Sequence, residues 1–138
     1  MTKKVLIKNK DDMIALAREI ALSVSSPMVV ALKGDLGAGK TFFARAFINA
    51  LCEKETQILS PTFNLVYSYN TKKGELFHFD LYRLKDAREL ENIGFFDAMK
   101  NGICLVEWPE IAEGFLPKDV LRIEIFGDGD KREVKVLS

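Results

Sequence analysis

The chain is 138 residues long, which corresponds to about one domain. Hydrophobic residues make up 48% of it and charged residues 29%, a composition that supplies a buried core and excludes disorder as the main state. Twenty Lys and Arg are balanced by twenty Asp and Glu, and this balance argues against a chain that binds RNA or DNA without a partner, because phosphate contacts provide much of that affinity. We predict a single domain over residues 1–138.

The cysteine and histidine content and the short apolar runs restrict the class of protein further. Two widely spaced cysteines and one histidine do not form the ligand pattern of a structural zinc site. No window approaches the ~20 apolar residues of a membrane span, and the N-terminal MTKKVLIKNKDD is not followed by the apolar stretch of a signal peptide. We expect a cytoplasmic protein that does not bind membranes.

The first part of the chain alternates between short apolar runs and helical patterns. Its periodicity predicts a strand at 5–7, a helix at 11–24 capped near Asp11, a strand at 28–32 and a helix at 40–52. The run MVVAL at 28–32 is apolar throughout, which is typical of a strand buried on both faces of a parallel sheet.

The second part contains a hairpin and further strands. We predict strands at 64–70 and 75–81 joined by the turn TKKG, a helix at 86–100 broken at Gly94, a strand at 103–107, and closing strands at 121–126 and 133–137. Strands that alternate with helices indicate an α/β fold with a mixed, mainly parallel central sheet and a β-hairpin.

A glycine-rich segment follows the second predicted strand. Residues 34–41 read GDLGAGKT, which matches the GxxxxGK[ST] pattern of the phosphate-binding P-loop. The glycines let the backbone curl round a phosphate, Lys40 reaches the β- and γ-phosphates, and the Thr41 hydroxyl binds Mg²⁺. A tight turn with an ordinary lysine is the alternative interpretation. The apolar strand before the segment and the amphipathic helix after it favour nucleotide binding.

Two acidic residues stand where apolar strands end. FHFD ends in Asp80 and ICLVE ends in Glu107, near the carboxyl edge of the predicted sheet, where ligands bind in open α/β folds. A P-loop enzyme needs a second carboxylate for its metal. We assign Glu107 to the metal, and Asp80 either binds the metal through water or orients the attacking water. For both residues, the alternative interpretation is a strand-end carboxylate that only accepts hydrogen bonds from a loop.

Several neighbouring residues keep more than one interpretation open. His78 and Asp80 share one side of a strand, so His78 either bonds that carboxylate or is a structural histidine. Trp108 covers the site, contacts a partner, or packs. Ser60 and Thr62 lie in a proline-containing loop, where hydroxyls sense the γ-phosphate in some nucleotide switches and form plain turns in other proteins.

Six motifs follow one another along the chain, namely GDLGAGKT, SPTFNLVYSY, FHFDLYRL, ELENIGF, CLVEWPE and LP. In this order they resemble the TsaE (YjeE) family of bacterial ATPases, and the match covers about residues 11–137. HFDLYRL together with VEWP is more specific than the P-loop alone.

This resemblance implies a small three-layer fold like that of P-loop NTPases, with ATP and Mg²⁺ bound. It also assigns roles by motif. The implied nucleotide-binding residues are Gly37, Ala38, Gly39, Lys40, Thr41 and Phe42. On the adenine side the resemblance implies Asp11 or Asp12 and Lys131 or Arg132, of which we choose Asp11 and Arg132. The implied metal ligands are Thr41 and Glu107. The implied catalytic set is Lys40, Asp80 and Glu107, and Trp108 lies beside it.

The resemblance also implies the biological role. The chain would hydrolyse ATP, weakly when alone, for the TsaD–TsaB pair, which transfers the threonylcarbamoyl group to adenosine in tRNA. The tRNA would be contacted only through that complex. One alternative is a small-molecule kinase, although the six arginines do not cluster into the lid that such kinases use. The other alternative is a scaffold protein in which bound ATP only controls docking to a partner and is not productively hydrolysed.

Overall fold

A computed structural model describes residues 2–35, 39–53, 58, 64–128 and 131–138 of the chain. It contains a seven-stranded sheet with the order β1-β7-β6-β2-β5-β4-β3. The strands are β1 Thr2–Ile7, β2 Met28–Lys33, β3 Val66–Thr71, β4 Gly74–Asp80, β5 Ile103–Glu107, β6 Leu121–Asp128 and β7 Lys131–Leu137. The central strands β6, β2, β5 and β4 run parallel, whereas β1, β7 and β3 pair antiparallel with their neighbours. The predicted mixed sheet is confirmed.

Helices cover both faces of this sheet. They are α1 Lys10–Ser23, α2 Lys40–Leu51, α3 Glu89–Asn92, α4 Phe95–Asn101 and the 3₁₀ helix Pro109–Phe115. The longer α1 and α2 pack on one face and the three short helices on the other, so the predicted three-layer α/β fold is confirmed. None of the helices in the described ranges is long and apolar enough to cross a membrane.

Local signals place most helix ends correctly, with small differences. The first helix begins at Lys10 rather than Asp11, because the side chain of Asn9 accepts a hydrogen bond from the Asp12 N–H at 2.8 Å. The predicted break at Gly94 separates α3 from α4, and Gly94 has a left-handed φ of 74°. The 3₁₀ helix after Trp108 was not predicted, since a proline after an apolar strand signals only the end of that strand.

The apolar run of β2 is explained by burial on both faces. Val30 and Leu32 belong to the core beneath α1 and α2, whereas Val29 and Ala31 belong to the core beneath the short helices. In β5 the alternation is the same, with Leu105 on the first side. Because successive side chains of a strand point to opposite faces, both sets must be apolar.

The parallel register aligns the carboxyl ends of three strands. Leu32 of β2 pairs with Glu107 of β5, which pairs with Asp80 of β4. The chain leaves β2 at this edge, and after residues 34–39 it enters α2 at Lys40. The sheet therefore brings two strand-end carboxylates to the amino end of a helix.

The hairpin turn between β3 and β4 contacts the ends of both long helices. The ammonium of Lys73 donates hydrogen bonds to the carbonyl oxygens of Ala21 at 3.1 Å and Leu22 at 2.8 Å, and also to that of Val24. The backbone N–H of Lys72 donates to the carbonyl of Leu51 at 2.9 Å. These carbonyls have no partners within their helices, so the turn caps α1 with a cation.

We predict that Lys73→Ala lowers the free energy of unfolding by about 1–2 kcal/mol, because the carbonyls at the end of α1 lose a charged donor. Lys72→Ala removes the same charge from an exposed position in the same turn and should change it by less than about 0.5 kcal/mol. Urea denaturation of both variants measures the difference, and equal effects would contradict the capping role.

Candidate active site

Lys40 is buried at the start of α2, with 5% of its surface exposed. Its ammonium donates a hydrogen bond to the carbonyl of Asp35 at 3.0 Å and another to the carbonyl of Gly34. It also lies 4.1 Å from the centroid of the Trp108 ring, within the range of a cation–π contact. The two carbonyls that follow β2 and the ring of Trp108 therefore hold the ammonium at the start of α2.

Burial has the largest effect on the protonation of this lysine. It lowers the pKa of Lys40 below its usual value, because the charged form loses its hydration. Nearby carboxylates oppose the shift by attracting the ammonium, and they belong to Glu107, Asp80, Asp35 and Glu110. The site thus combines one buried cation with an acidic surrounding.

The carboxylate of Glu107 joins three elements of the fold. Glu107 is 2% exposed, and its Oε1 accepts a hydrogen bond from the Thr41 hydroxyl at 3.1 Å. Its Oε2 lies 2.6 Å from Nε2 of His78. The alternative in which His78 bonds Asp80 is therefore wrong, since its contact crosses from β4 to β5. One carboxylate connects β5 to both α2 and β4.

Asp80 lies at the same edge in a different set of hydrogen bonds. It is 6% exposed, and its Oδ1 accepts the backbone N–H of Tyr82 at 3.0 Å. Its own N–H donates to the carbonyl of Leu65 at 2.9 Å. Asp80 and His78 are on the same side of β4, the side on which α2 lies.

Backbone strain occurs at two positions beside these carboxylates. Within the described ranges, the non-glycine residues with positive φ are Leu65 at 68° and Trp108 at 55°. Such conformations are costly for bulky residues and are found most often at functional sites. Leu65 bonds Asp80, and Trp108 contacts Lys40 and packs against Tyr82 with ring centroids 4.7 Å apart.

The amino end of α2 has the properties of an anion site. Gly39 precedes the helix with a φ of 105°, and as a glycine it has no side chain that could cap the first N–H groups. A Cβ on Gly39 would collide with Nη1 of Arg132, so the guanidinium from β7 lies directly against the loop. The N–H groups of the first helical turn, the helix dipole, Lys40 and Arg132 together favour a negatively charged ligand here.

The pair formed by Thr41 and Glu107 fits a magnesium ion. Magnesium prefers oxygen ligands and usually takes only one or two carboxylates from the protein, with water and phosphates completing its shell. No group of three or more His, Cys, Asp or Glu in the described part of the chain is arranged to hold a metal by itself. A hydroxyl and a carboxylate 3.1 Å apart, beside an anion site, are suited to a cation shared with phosphates.

Comparison with known proteins identifies the family. The family model of the threonylcarbamoyl adenosine biosynthesis protein TsaE matches residues 7–134. The chain belongs to the TsaE family. Its members act in the biosynthesis of threonylcarbamoyladenosine in tRNA.

Individual TsaE relatives cover most of the chain. The TsaE protein of Aquifex aeolicus is 42% identical over 99% of this chain and 96% of its own length. That of Bacillus subtilis is 39% identical over 91% of this chain and 79% of its own. The crystal structure of Bacillus subtilis YdiB superimposes with a TM-score of 0.76 at 33% identity, covering 99% of this chain and 84% of that one.

The structure brings together most residues that the resemblance to TsaE assigned to a site. Lys40, Thr41, Asp80, Glu107 and Trp108 meet at the carboxyl edge of the sheet, and Arg132 reaches Gly39. Phe42 is half-buried, 6.0 Å from the ammonium of Lys10, and Asp11 lies in the exposed first turn of α1. The remaining predicted residues, Gly37, Ala38, Ser60 and Thr62, lie outside the described residues.

We predict that Thr41→Val lowers the free energy of unfolding of the nucleotide-free protein by about 1–2 kcal/mol, because Oε1 of Glu107 loses its hydroxyl donor. Thr41→Ser keeps the hydroxyl and should remain within about 0.5 kcal/mol of the wild type. Urea denaturation checks both values. Equal stabilities of the two variants would show that the 3.1 Å contact does not contribute.

Proposed function

We propose that this chain is a magnesium-dependent ATPase that supports the threonylcarbamoyladenosine modification of tRNA. The observation that carries the proposal is the contact of the Thr41 hydroxyl with Glu107, one residue from the buried Lys40. A metal ligand pair next to a phosphate-binding lysine is the arrangement that phosphoryl transfer requires. Membership in the TsaE family supplies the biological context.

The chain's own groups bind and polarise the triphosphate. The N–H groups at the start of α2 bind its oxygens, and Lys40 exchanges the carbonyls of Gly34 and Asp35 for the β- and γ-phosphates. Thr41 and Glu107 hold the magnesium ion, which neutralises charge on the phosphates when bound. We assign Arg132, whose guanidinium lies against Gly39, to the nucleotide as a second cation beside its phosphates.

The second carboxylate has a separate task. Asp80 is buried at the same edge as Glu107 and is oriented by the N–H of Tyr82. An acceptor fixed in this way orients a water for attack on the γ-phosphate. Trp108 lies over Lys40 and shields the reacting groups from other water.

A line of contacts leads from the lysine to the surface and supports control by a partner. The Lys40 ammonium touches Trp108, and Trp108 packs against Tyr82, which is 55% exposed. When Lys40 turns toward a triphosphate, its contact with Trp108 changes. The position of the exposed Tyr82 ring, which packs against Trp108, changes with it. We propose that the TsaD–TsaB pair binds the two positions of Tyr82 with different affinity. Hydrolysis then drives or resets the transfer reaction of that pair, and tRNA is contacted only through the complex.

We predict that Lys40→Met reduces ATP hydrolysis by at least ~100-fold, because the charge that develops on the γ-phosphate is left without its cation. Methionine keeps the apolar stem against Trp108. Phosphate release, measured with TsaD and TsaB present, tests this, and Lys72→Ala serves as a control that removes an exposed lysine elsewhere. Full activity of Lys40→Met would remove the P-loop lysine from the mechanism.

We predict that the TsaD–TsaB pair binds at least ~5-fold more tightly to one nucleotide state than to the other. Calorimetry with a non-hydrolysable ATP analogue and with ADP measures both affinities. Tyr82→Ala should reduce the difference, whereas Leu22→Ala, which removes a similarly exposed side chain from α1, should not. Equal affinities in both states would contradict nucleotide control, and phosphorylation of a small acceptor without partners would favour a kinase.

A further inference from the structure

His78 is a fully buried polar residue to which the proposed reaction gives no task. It is 0% exposed, lies two residues before the end of β4, and faces α2 together with Leu76. Its Nε2 lies 2.6 Å from Oε2 of Glu107. Its Nδ1 is buried and has no hydrogen-bond partner among the residues that the structure describes. The two ring nitrogens therefore have different environments.

This asymmetry determines where the imidazole carries its proton. An ionised carboxylate only accepts hydrogen bonds, so the nitrogen at 2.6 Å must be the donor. A buried N–H without an acceptor is costly, so the proton is disfavoured at Nδ1. The tautomer with Nε2–H and a bare Nδ1 satisfies both conditions.

We propose that His78 is a positioning residue for Glu107, an inference that rests on the proposed magnesium site. Its Nε2–H holds Oε2, which fixes the carboxylate plane and directs Oε1 toward Thr41 and the metal. Hydrogen bonds to a ligating carboxylate set its orientation, and residues that make them strongly influence metal affinity. His78 contacts neither nucleotide nor metal in this arrangement.

A packing role and a positioning role make different demands on position 78. Packing requires only that the volume between β4, β5 and α2 be filled. Positioning requires a donor at the place of Nε2. The side-chain amide nitrogen of Gln reaches the place of the imidazole Nε2, whereas Met has similar length and no donor. His78→Gln and His78→Met therefore form a matched pair.

The first test compares nucleotide binding with and without magnesium. Calorimetry with a non-hydrolysable ATP analogue is run for the wild type and both variants, in excess Mg²⁺ and in EDTA. We expect His78→Met to reduce the magnesium-dependent gain in affinity by ~10-fold or more, with little change in EDTA. His78→Gln should recover most of that gain.

The outcomes separate this inference from the proposed function. If the wild type gains affinity from magnesium and both variants gain as much, His78 only fills space and the inference is wrong. If the two variants lose the gain equally, the donor is not what matters, and the inference is also wrong. If magnesium does not increase the affinity of the wild type for the nucleotide, the proposed magnesium site is wrong. The positioning role, which rests on that site, is then wrong as well.

A second test needs no variant. His78 is the only histidine of the chain, so the imidazole region of a ¹⁵N nuclear magnetic resonance spectrum reports on this residue alone. Long-range proton–nitrogen correlations of the folded protein should show a protonated Nε2 and a bare Nδ1. A bare Nε2 with the proton at Nδ1 would overturn the proposed hydrogen bond to Glu107, whatever the binding data show.

Discussion

The buried carboxylate of Glu107 is the group on which the arrangement of the site depends. A charge with 2% exposure is costly unless donors surround it, and here the donors come from α2 and β4. Thr41 and His78 are far apart along the sequence, so their contacts with one carboxylate fix the helix and the neighbouring strand relative to β5. Lys40, at the start of the same helix, adds a cation whose attraction to Glu107 partly offsets its own burial.

The parallel part of the sheet explains why these groups meet at all. Strands β2, β5 and β4 are in register, so Glu107 and Asp80 end at one level while the chain turns from β2 into α2. The dipole of α2 then points its positive end at two carboxylates and a buried lysine. Strand register and helix direction therefore bring the carboxylates, the lysine and the positive end of the helix dipole to one edge of the sheet.

Local sequence signals predicted the helices and strands, the glycine-rich segment 34–41 and the acids at the strand ends. They could do so because glycine spacing, apolar periodicity and strand-end acids are properties of short segments. The partner of His78 was not predictable in this way, since it depends on the pairing of β4 with β5. The approach of Arg132 to Gly39 likewise joins segments that are distant in sequence. The Lys73 cap on α1 needed the hairpin's position in space, which no local pattern contains.

The attachment of the hairpin turn also affects how well the outer strand of the sheet is protected from pairing with another chain. Among the strands that the structure describes, β3 is the last on its side of the sheet. An outer strand offers unpaired backbone groups to which another chain can add. Because Lys73 and the backbone of Lys72 are bound to the ends of α1 and α2, β3 cannot slide along β4 without breaking those bonds. A chain that lost this attachment would be more prone to aggregate through its outer strand, even with every residue of the nucleotide site unchanged.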